Sequence, residues 1–401
     1  MSINSQNYVW SVARDSTQPS RDNFAFGYCL LISALIALTN WFLLPLPRVL
    51  AGNNWSSERI GWTMAMFLGA WTIAQLVSGM ISQLIGSRNL ALLGSILGVF
   101  GGFCYTSFSG MPYAILPARI LHGIGSAFAY SGVLYLFLDR LPMRLRAKAI
   151  GYYGLPGVAM AMVGPAIAEN LERNWGILPV VTLVLLVFCV LFIGILKFNE
   201  IPRRESESAT PIVGHFGEIV SRSYGAFMVL MVLGACSSVW QTFLAPLVIG
   251  LGPGALSSFA IGHGSGAVLS RLSASSRVDH GRPRLAAILA LIVYGGGLAL
   301  IPKAYFGWQL ATLGLVTGVT YGLAFVAIIS LAIERMLPDE TSVGTAFLLA
   351  SIGLGGFFGP PIWGVIADNF GYDTAFVLAG SVLAVSVAVF VIGELAPGTA
   401  L

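Results

Sequence analysis

The sequence predicts an all-α membrane protein in which twelve transmembrane helices form two pseudo-symmetric six-helix bundles. Three observations lead to this prediction: a very low charge content, repeated apolar runs of membrane-spanning length, and an internal repeat that relates the two halves. The 401 residues are 56% apolar and 9% charged, whereas roughly 25% of the residues of an ordinary soluble domain are charged. So few charges cannot cover a water-facing surface.

The apolar residues form stretches of about 20, the length needed to cross a hydrocarbon core ~30 Å thick. The 48 glycines suit helices whose backbones approach one another closely in lipid. In the first half, spans are predicted at 24–50, 60–85, 90–110, 112–138, 148–171 and 177–198. In the second half they are predicted at 223–250, 254–275, 284–305, 308–333, 341–367 and 372–394.

The distribution of charge predicts how the chain crosses the membrane. With twelve spans, both termini lie on the same side of the membrane, and most of the 21 Lys and Arg residues fall on that side. Because cytoplasmic loops are enriched in Lys and Arg, both termini are expected in the cytoplasm. The segment before Phe24 lacks the apolar core of a signal peptide, so we expect the first span to be retained in the inner membrane. The same bias accounts for the net charge of +4, and no nucleic-acid partner is expected. The four cysteines fall inside predicted spans, so neither a disulfide nor a metal site is expected.

An internal repeat divides the chain into two halves. A shift of 195 residues superimposes several turn-forming and charged residues without gaps, and such self-similarity indicates a repeated architecture. The matched pairs are Gly86 with Gly281, Gly123 with Gly318, Asp139-Arg140 with Glu334-Arg335, and Gly164-Pro165 with Gly359-Pro360. We therefore predict an N-terminal bundle over 1–198, a proline-rich and charged cytoplasmic linker over 199–222, and a C-terminal bundle over 223–401.

Short motifs accompany the repeat. After the second span, Gly79, Gly86 and Arg88 follow the pattern G-x-x-x-D-R-x-G-R-R, with Gln83 in place of the acid. The second-half copy of this loop retains an acid, a glycine and an arginine, at Asp279, Gly281 and Arg282. In the fourth span, Arg119 and Gly123 match the motif R-x-x-x-G. In the fifth span, a glycine and proline signature is matched by Gly154, Gly157, Gly164 and Pro165.

These motifs resemble those of the major facilitator superfamily over essentially the whole chain. The resemblance implies a secondary transporter whose two halves rock about a central site and expose it to each side in turn. It implies a small-molecule substrate, a lipid-embedded chain and a coupling ion, which we expect to be H⁺. The sequence has no glycine-rich phosphate loop, metal-ligand cluster or paired nucleophile and base, so neither an enzyme nor a cofactor is expected.

Ionisable side chains inside spans are costly unless they face a cavity or a partner, so each is a candidate for function. The resemblance places Arg119 in the central cavity, for proton coupling or anion binding; the alternative is a structural hydrogen bond between helices. His122 could exchange a proton or simply join two helices. Arg271 could hold a carboxylate or phosphate, or extend to the inner surface. Glu169 could carry a proton, or lie at a solvated helix end.

Uncharged polar and aromatic residues at similar depth are candidates for lining the cavity. Asn40 with Trp41 in the first span and Trp240 with Gln241 in the seventh are each followed by a proline. We expect these four residues to bind solute by stacking and hydrogen bonds, against the alternative of ordinary packing. Gln75 is a further candidate of the same kind.

A second set of residues is predicted to act in gating. Acid–arginine pairs at the cytoplasmic ends of the fourth and tenth spans could hold the inner side shut, and the glycine–proline pairs could supply bends. The predicted gating residues are Gly86, Arg88, Asp139, Arg140, Gly164, Pro165, Asp279, Gly281, Arg282, Glu334, Arg335, Gly359 and Pro360.

The expected cargo follows from what the spans lack. No Asp or Glu lies deep in spans 1, 2, 4, 7, 8, 10 or 11, so a neutral or anionic organic solute is expected rather than a cation. The signature in the fifth span favours export, and we expect the protein to be a monomer. Proton-driven uptake of an organic anion or vitamin-like nutrient is the alternative, and a transport-dead sensor or scaffold remains a third.

Overall fold

A computed structural model describes residues 19–107, 112–138, 143–197, 223–277, 283–336 and 341–395. Within these ranges the chain forms twelve long helices and no strand. In the first half they are α1 Pro19–Trp41, α2 Ser57–Ile85, α3 Ser87–Thr106, α4 Ile115–Leu138, α5 Met143–Trp175 and α6 Ile177–Leu196. In the second half they are α7 Tyr224–Leu247, α8 Ala255–Arg277, α9 Pro283–Leu300, α10 Gly307–Ile333, α11 Thr341–Phe370 and α12 Tyr372–Leu395.

Each predicted span overlaps one long helix, and the predicted all-α fold is confirmed. The first span is interrupted, however: α1 ends at Trp41 and the chain resumes as a short helix, Leu46–Gly52, after Pro45. Proline lacks an N–H group and cannot continue the helix ladder without a break. The third span begins and ends about one turn earlier than predicted, and the predicted linker over 199–222 lies outside the described residues.

Ten segments in the described ranges are long and apolar enough to cross a membrane, and the first of them, Gly27–Gly52, combines the end of α1 with the short helix Leu46–Gly52. The other two long helices are α5 and α8, and α8 carries several serines together with His263 and Arg271. These two helices contact each other across the boundary between the halves. Their lower hydropathy is expected of helices that turn part of their surface to a cavity rather than to lipid.

Lipid-facing positions are occupied by exposed apolar side chains. Leu84 on α2 is 83% exposed, a fraction that is unfavourable in water but suits a hydrocarbon environment. Similarly exposed apolar residues include Ile73, Met80, Phe100, Phe103, Val190, Ile193, Val385 and Ile392. Exposed aromatic side chains lie at helix ends, where a membrane interface favours them; they include Tyr113, Trp175, Tyr305, Phe306, Trp308 and Phe370.

Single glycines connect consecutive helices at equivalent points of the repeat. Gly176 joins α5 to α6 with φ 77°, and Gly371 joins α11 to α12 with φ 86°. Left-handed backbone of this kind is open to glycine at little cost. Gly86, a predicted gating residue, has φ 87° between α2 and α3, so the tight turn itself requires glycine there.

The helix contacts of the first half recur in the second. α1 packs on α5 as α7 packs on α11, α2 on α4 as α8 on α10, and α3 on α6 as α9 on α12. Between the halves, the extensive contacts are α2 with α11 and α5 with α8. The two halves therefore meet along two helix pairs, with a cavity between them. We call the face that carries the connection at 53–56 the outer face, following the predicted orientation.

Candidate functional site

A central cavity of about 330 Å³ lies where the two halves meet. Both halves contribute to its wall, through α1, α2 and α5 on one side and α7, α8, α10 and α11 on the other. The predicted residues Trp41, Trp240, Gln241 and Arg271 all line it. His263 and Tyr321 line it as well, and among the lining residues there is no Asp or Glu.

A smaller cavity of about 30 Å³ lies toward the outer face and shares wall residues with the central one. It is lined by the predicted residues Asn40 and Arg119, and Trp41 and Gln241 border both spaces. The two cavities are thus neighbouring compartments of one cleft. Solute bound in the larger compartment would lie next to the Arg119 compartment.

The indole rings of Trp41 and Trp240 stack across the boundary between the halves. Their centroids are 6.0 Å apart and their planes differ by 13°. Trp41 Nε1 donates to the carbonyl of Gly157 on α5 at 3.2 Å, and Trp240 packs on the His263 ring at 4.7 Å. The stack is held from both sides. Partly exposed Trp41 and almost fully buried Trp240 both border the cavity, and an aromatic wall of this kind suits a planar or apolar solute.

Arg119 is a buried cation whose donors are largely unused. It is 2% exposed, and Nη2 donates to the carbonyl of Met64 at 3.1 Å. Nε and Nη1 have no hydrogen-bond partner, although the Tyr105 hydroxyl is nearby. The guanidinium lies 4.9 Å from the ring centre of Phe67. In the described ranges no carboxylate is within ion-pair distance of Arg119, so it is poised to receive an acceptor or an anion.

His122 lies within the first half rather than on the wall of either cavity. Its Nε2 is 2.9 Å from Thr39 Oγ1 on α1, and its Nδ1 is 3.3 Å from the Tyr105 hydroxyl on α3. The side chain is fully buried. These contacts join three helices, which is the structural alternative considered for this residue.

Arg271 lies toward the inner end of the central cavity, on α8. Its guanidinium carbon is 5.6 Å from the ring centre of Phe325, and it approaches Gly154 on α5 of the other half. In the part of the chain that the structure describes, no carboxylate is within ion-pair distance of it. The cleft therefore has one guanidinium near each end.

Glu169 and Gln75 lie outside both cavities. Glu169 is 2% exposed near the outer end of α5, where Arg48 and Arg173 approach its carboxylate. Gln75 on α2 is partly buried, and its Oε1 has no hydrogen-bond partner. Arg48 is 6% exposed and contacts Glu172 as well. Its burial could not be read from the sequence because its acidic partners are more than 100 residues away.

Apart from Gly86 and the glycine–proline pairs, the predicted gating residues fall into three groups. Asp139, Arg140, Asp279, Gly281 and Arg282 lie outside the described residues. Arg88 donates from Nη2 to the carbonyl of Leu196 at 2.9 Å, which joins α3 to α6 within the first half. Glu334 and Arg335 follow the inner end of α10, beside a groove that Arg284 also lines.

The glycine–proline pairs lie where two helices approach closely. Gly164 faces Trp41, and Gly359 faces Ala235 on α7. Pro165 and Pro360 are both interior to their helices, α5 and α11. Each pair thus adjoins one of the helices that carry the stacked tryptophans.

The fold and the cleft define a multi-pass α-helical membrane protein with a solute-sized site between two six-helix halves, the architecture of a secondary transporter. A family model described as Major Facilitator Superfamily matches residues 27–348 and 280–400. The chain belongs to the Major Facilitator Superfamily. The prediction of a transporter rather than an enzyme is thereby confirmed at the level of the family.

Individual relatives are distant. Multidrug resistance protein MdtL of Vibrio parahaemolyticus is 21% identical over 289 residues, which cover 70% of this chain and 72% of MdtL. Probable anion transporter 6, chloroplastic, of Arabidopsis thaliana is 27% identical over 126 residues, 30% of this chain and 24% of that protein. The crystal structure of the nucleoside transporter NupG superimposes with a TM-score of 0.75 at 14% identity, covering 92% of this chain and 98% of that one; at this identity the likeness concerns the fold.

Proposed function

We propose that the protein is a proton-coupled exporter of a neutral or anionic organic solute across the inner membrane. The two halves rock about the central cleft, which opens to each side in turn. Arg119, Arg271, Gln241 and the stacked tryptophans bind the solute, and the protein acts as a monomer with both termini in the cytoplasm.

The observation that carries this proposal is the unused donor capacity of Arg119. A buried guanidinium with two unpartnered nitrogens, in a cleft whose described walls hold no carboxylate, favours a ligand that accepts hydrogen bonds or carries negative charge. A cationic solute would meet two arginines and no acid, so it would bind less well. Flat indole surface in the same cleft favours aromatic or amphipathic cargo.

Export is supported by the fifth-span signature and by the likeness to a protein named for multidrug resistance. Uptake of an organic anion is the second candidate, and the likeness to a protein named as an anion transporter favours it. A sensor or scaffold that moves no solute is the third. The three differ in a single observable, which is the net flux of solute and its direction.

The test uses purified protein in liposomes with an imposed pH gradient. Solutes are offered as matched pairs that share one aromatic skeleton and differ only in a carboxylate, an amide or an ammonium group. We expect flux of the carboxylate or amide member against its gradient, and a protonophore should abolish it. Faster flux of the ammonium member would refute the assignment of cargo. No flux of any member, with the protein folded, would leave the sensor or scaffold.

A further inference from the structure

The outer face holds charged contacts that the central site does not use. They lie where α5 ends beside the start of α8, and where α11 ends beside the start of α2. Both are contacts between the two halves. The first N–H groups of any helix lack partners within that helix and carry partial positive charge, so a carboxylate placed there is stabilising.

Glu169 of the first half caps α8 of the second half. Its Oε2 accepts from the backbone N–H of Ser257 at 2.8 Å and also from the Ser257 hydroxyl. Ser257 lies in the first turn of α8. Next to this contact, Arg173 donates from Nη2 to the carbonyl of Gly252 at 2.8 Å, again from the first half to the second.

Asp368 of the second half caps α2 of the first half. Its Oδ1 accepts from the N–H of Ser57 at 2.7 Å, and its Oδ2 accepts from the N–H of Glu58 at 2.9 Å. These are the first two residues of α2. The Ser57 hydroxyl also donates to the Tyr372 hydroxyl at 3.2 Å, which adds a third bond between the halves here.

The two contacts are related by exchange of the halves. In one, the end of α5 reaches the start of α8; in the other, the end of α11, the repeat equivalent of α5, reaches the start of α2. We propose that Glu169 and Asp368 are reciprocal latches of the outer gate, each holding the outward-closed conformation by capping a helix of the opposite half. The proposal rests on the alternating-access cycle proposed above, and it assigns residues that hold one end of that cycle shut.

The surroundings make Glu169 the stronger of the two latches. It is 2% exposed, and Arg48 lies 3.6 Å from its Oε1 and keeps the carboxylate oriented. Asp368 is exposed to solvent, where water screens its charge. Opening the outer side requires both carboxylates to leave the helix ends that they cap, so loss of either charge should favour the outward-open state.

The equilibrium between the outward-closed and outward-open states can be measured without any solute, from how fast one engineered cysteine reacts with a reagent added on the outer side. Ser238→Cys, at the wall shared by the two cavities, is introduced after Cys29, Cys104, Cys189 and Cys236 are replaced by alanine. A membrane-impermeant maleimide is then added to right-side-out vesicles. We expect labelling to become roughly three- to thirtyfold faster with Glu169→Gln and roughly two- to fivefold faster with Asp368→Asn. These factors correspond to the stabilisation that a negative charge gives at a helix N-terminus, which is larger for a buried carboxylate than for an exposed one.

Two control variants each neutralise a carboxylate that does not bond to the opposite half. Glu172→Gln neutralises a carboxylate one turn from Glu169 whose partner, Arg48, belongs to the same half. Asp373→Asn neutralises a residue in the first turn of its own helix, α12. Unchanged labelling in both latch variants, or equal acceleration in the controls, would overturn the proposal. If the variant at buried Glu169 does not fold, Asp368→Asn decides alone. Because no solute is present, flux in liposomes tests the proposed function separately.

Discussion

At the scale of single residues, Arg119 has the most unusual environment among the candidates. Buried charges in spans are normally paired, and the loss of hydration is otherwise uncompensated. Arg119 contacts one carbonyl and one aromatic ring and lies near the Tyr105 hydroxyl, and two of its nitrogens have no hydrogen-bond partner. A side chain kept for stability alone would not need this arrangement, whereas a site that receives its acceptor from the solute would.

This reasoning predicts that Arg119→Met separates function from stability. The variant removes a poorly paired buried charge, so the thermal midpoint should stay the same or rise, while solute flux should fall at least tenfold, the loss expected for one charge-assisted hydrogen bond of ~1.5–3 kcal/mol. Thermal unfolding in detergent and flux in liposomes give the two readouts. A large drop in the midpoint would instead assign Arg119 a structural role.

The tryptophan stack makes a second prediction at the same scale. Trp240→Ala should weaken binding of aromatic solutes by roughly three- to tenfold, since an aromatic pair contributes about 0.5–1.5 kcal/mol beyond its buried area. Equilibrium binding to purified protein measures the change. The control is Trp175→Ala, because Trp175 is 66% exposed at the end of α5 and lines neither cavity of the cleft. Equal losses in both variants would argue against solute stacking on Trp240.

The sequence identified much of the cleft but not the outer latches. Trp41, Trp240, Gln241, Asn40 and Arg271 were named from residue type and depth within a span, and Arg119 from the family resemblance; all six line one or both of the cavities. Asp368 was missed because its partners are 310 and 311 residues away in the chain and are backbone groups. Glu169 was named for proton transfer, whereas its bond to Ser257 crosses to the other half. The one available signal was that α5 and α11 both carry charged residues at their outer ends.

At the scale of helices, the contact between α2 and α11 depends on two glycines. Gly61 lies against the backbone of Pro360, and Gly364 lies against the backbone of Ser57 and Glu58. A β-carbon at Gly364 would be 2.7 Å from Glu58 Cα, closer than side-chain atoms approach backbone. The two helices can therefore be this close only while these positions lack side chains.

Gly364→Ala should accordingly push α2 and α11 apart on the outer side. In the Ser238→Cys background we expect faster outside labelling of the introduced thiol and solute flux lowered several-fold, because the outward-closed state becomes harder to form. Gly296→Ala is the matched control, since a β-carbon there meets no atom within 4 Å and the gain in helix propensity of roughly 1 kcal/mol is the same. Identical behaviour of the two variants would contradict the role assigned to the close approach.

Run length and hydropathy were sufficient to place the helices, including α5 and α8, whose polar faces lower their hydropathy. The break after Trp41 was not predicted, although Pro45 is its physical cause. A proline inside an apolar run is compatible with both a continuous and an interrupted span, because neighbouring helices can satisfy the freed backbone groups. Tertiary packing decides between the two, and a single sequence does not contain that information.

At the scale of the whole molecule, the two halves contact each other through bonds on the outer face and enclose a cleft at mid-depth. Rocking would exchange the outer contacts for an open outer path. The free energy that separates the two states must be small enough for solute and protons to shift it, so each latch can contribute only a few kcal/mol. Paired latches of modest strength satisfy this requirement better than one strong ion pair.

The most direct test of alternating access is the distance between the halves on both faces of one protein. Spin labels at Asn54 and Phe306 report on the outer face, and labels at Lys197 and Arg335 report on the inner face. We predict two distance populations for each pair that shift in opposite directions when pH or solute is changed, with the Glu169→Gln variant enriched in the longer outer distance. A single, unchanging distance on both faces under every condition would contradict the account and leave a rigid membrane protein that transports nothing.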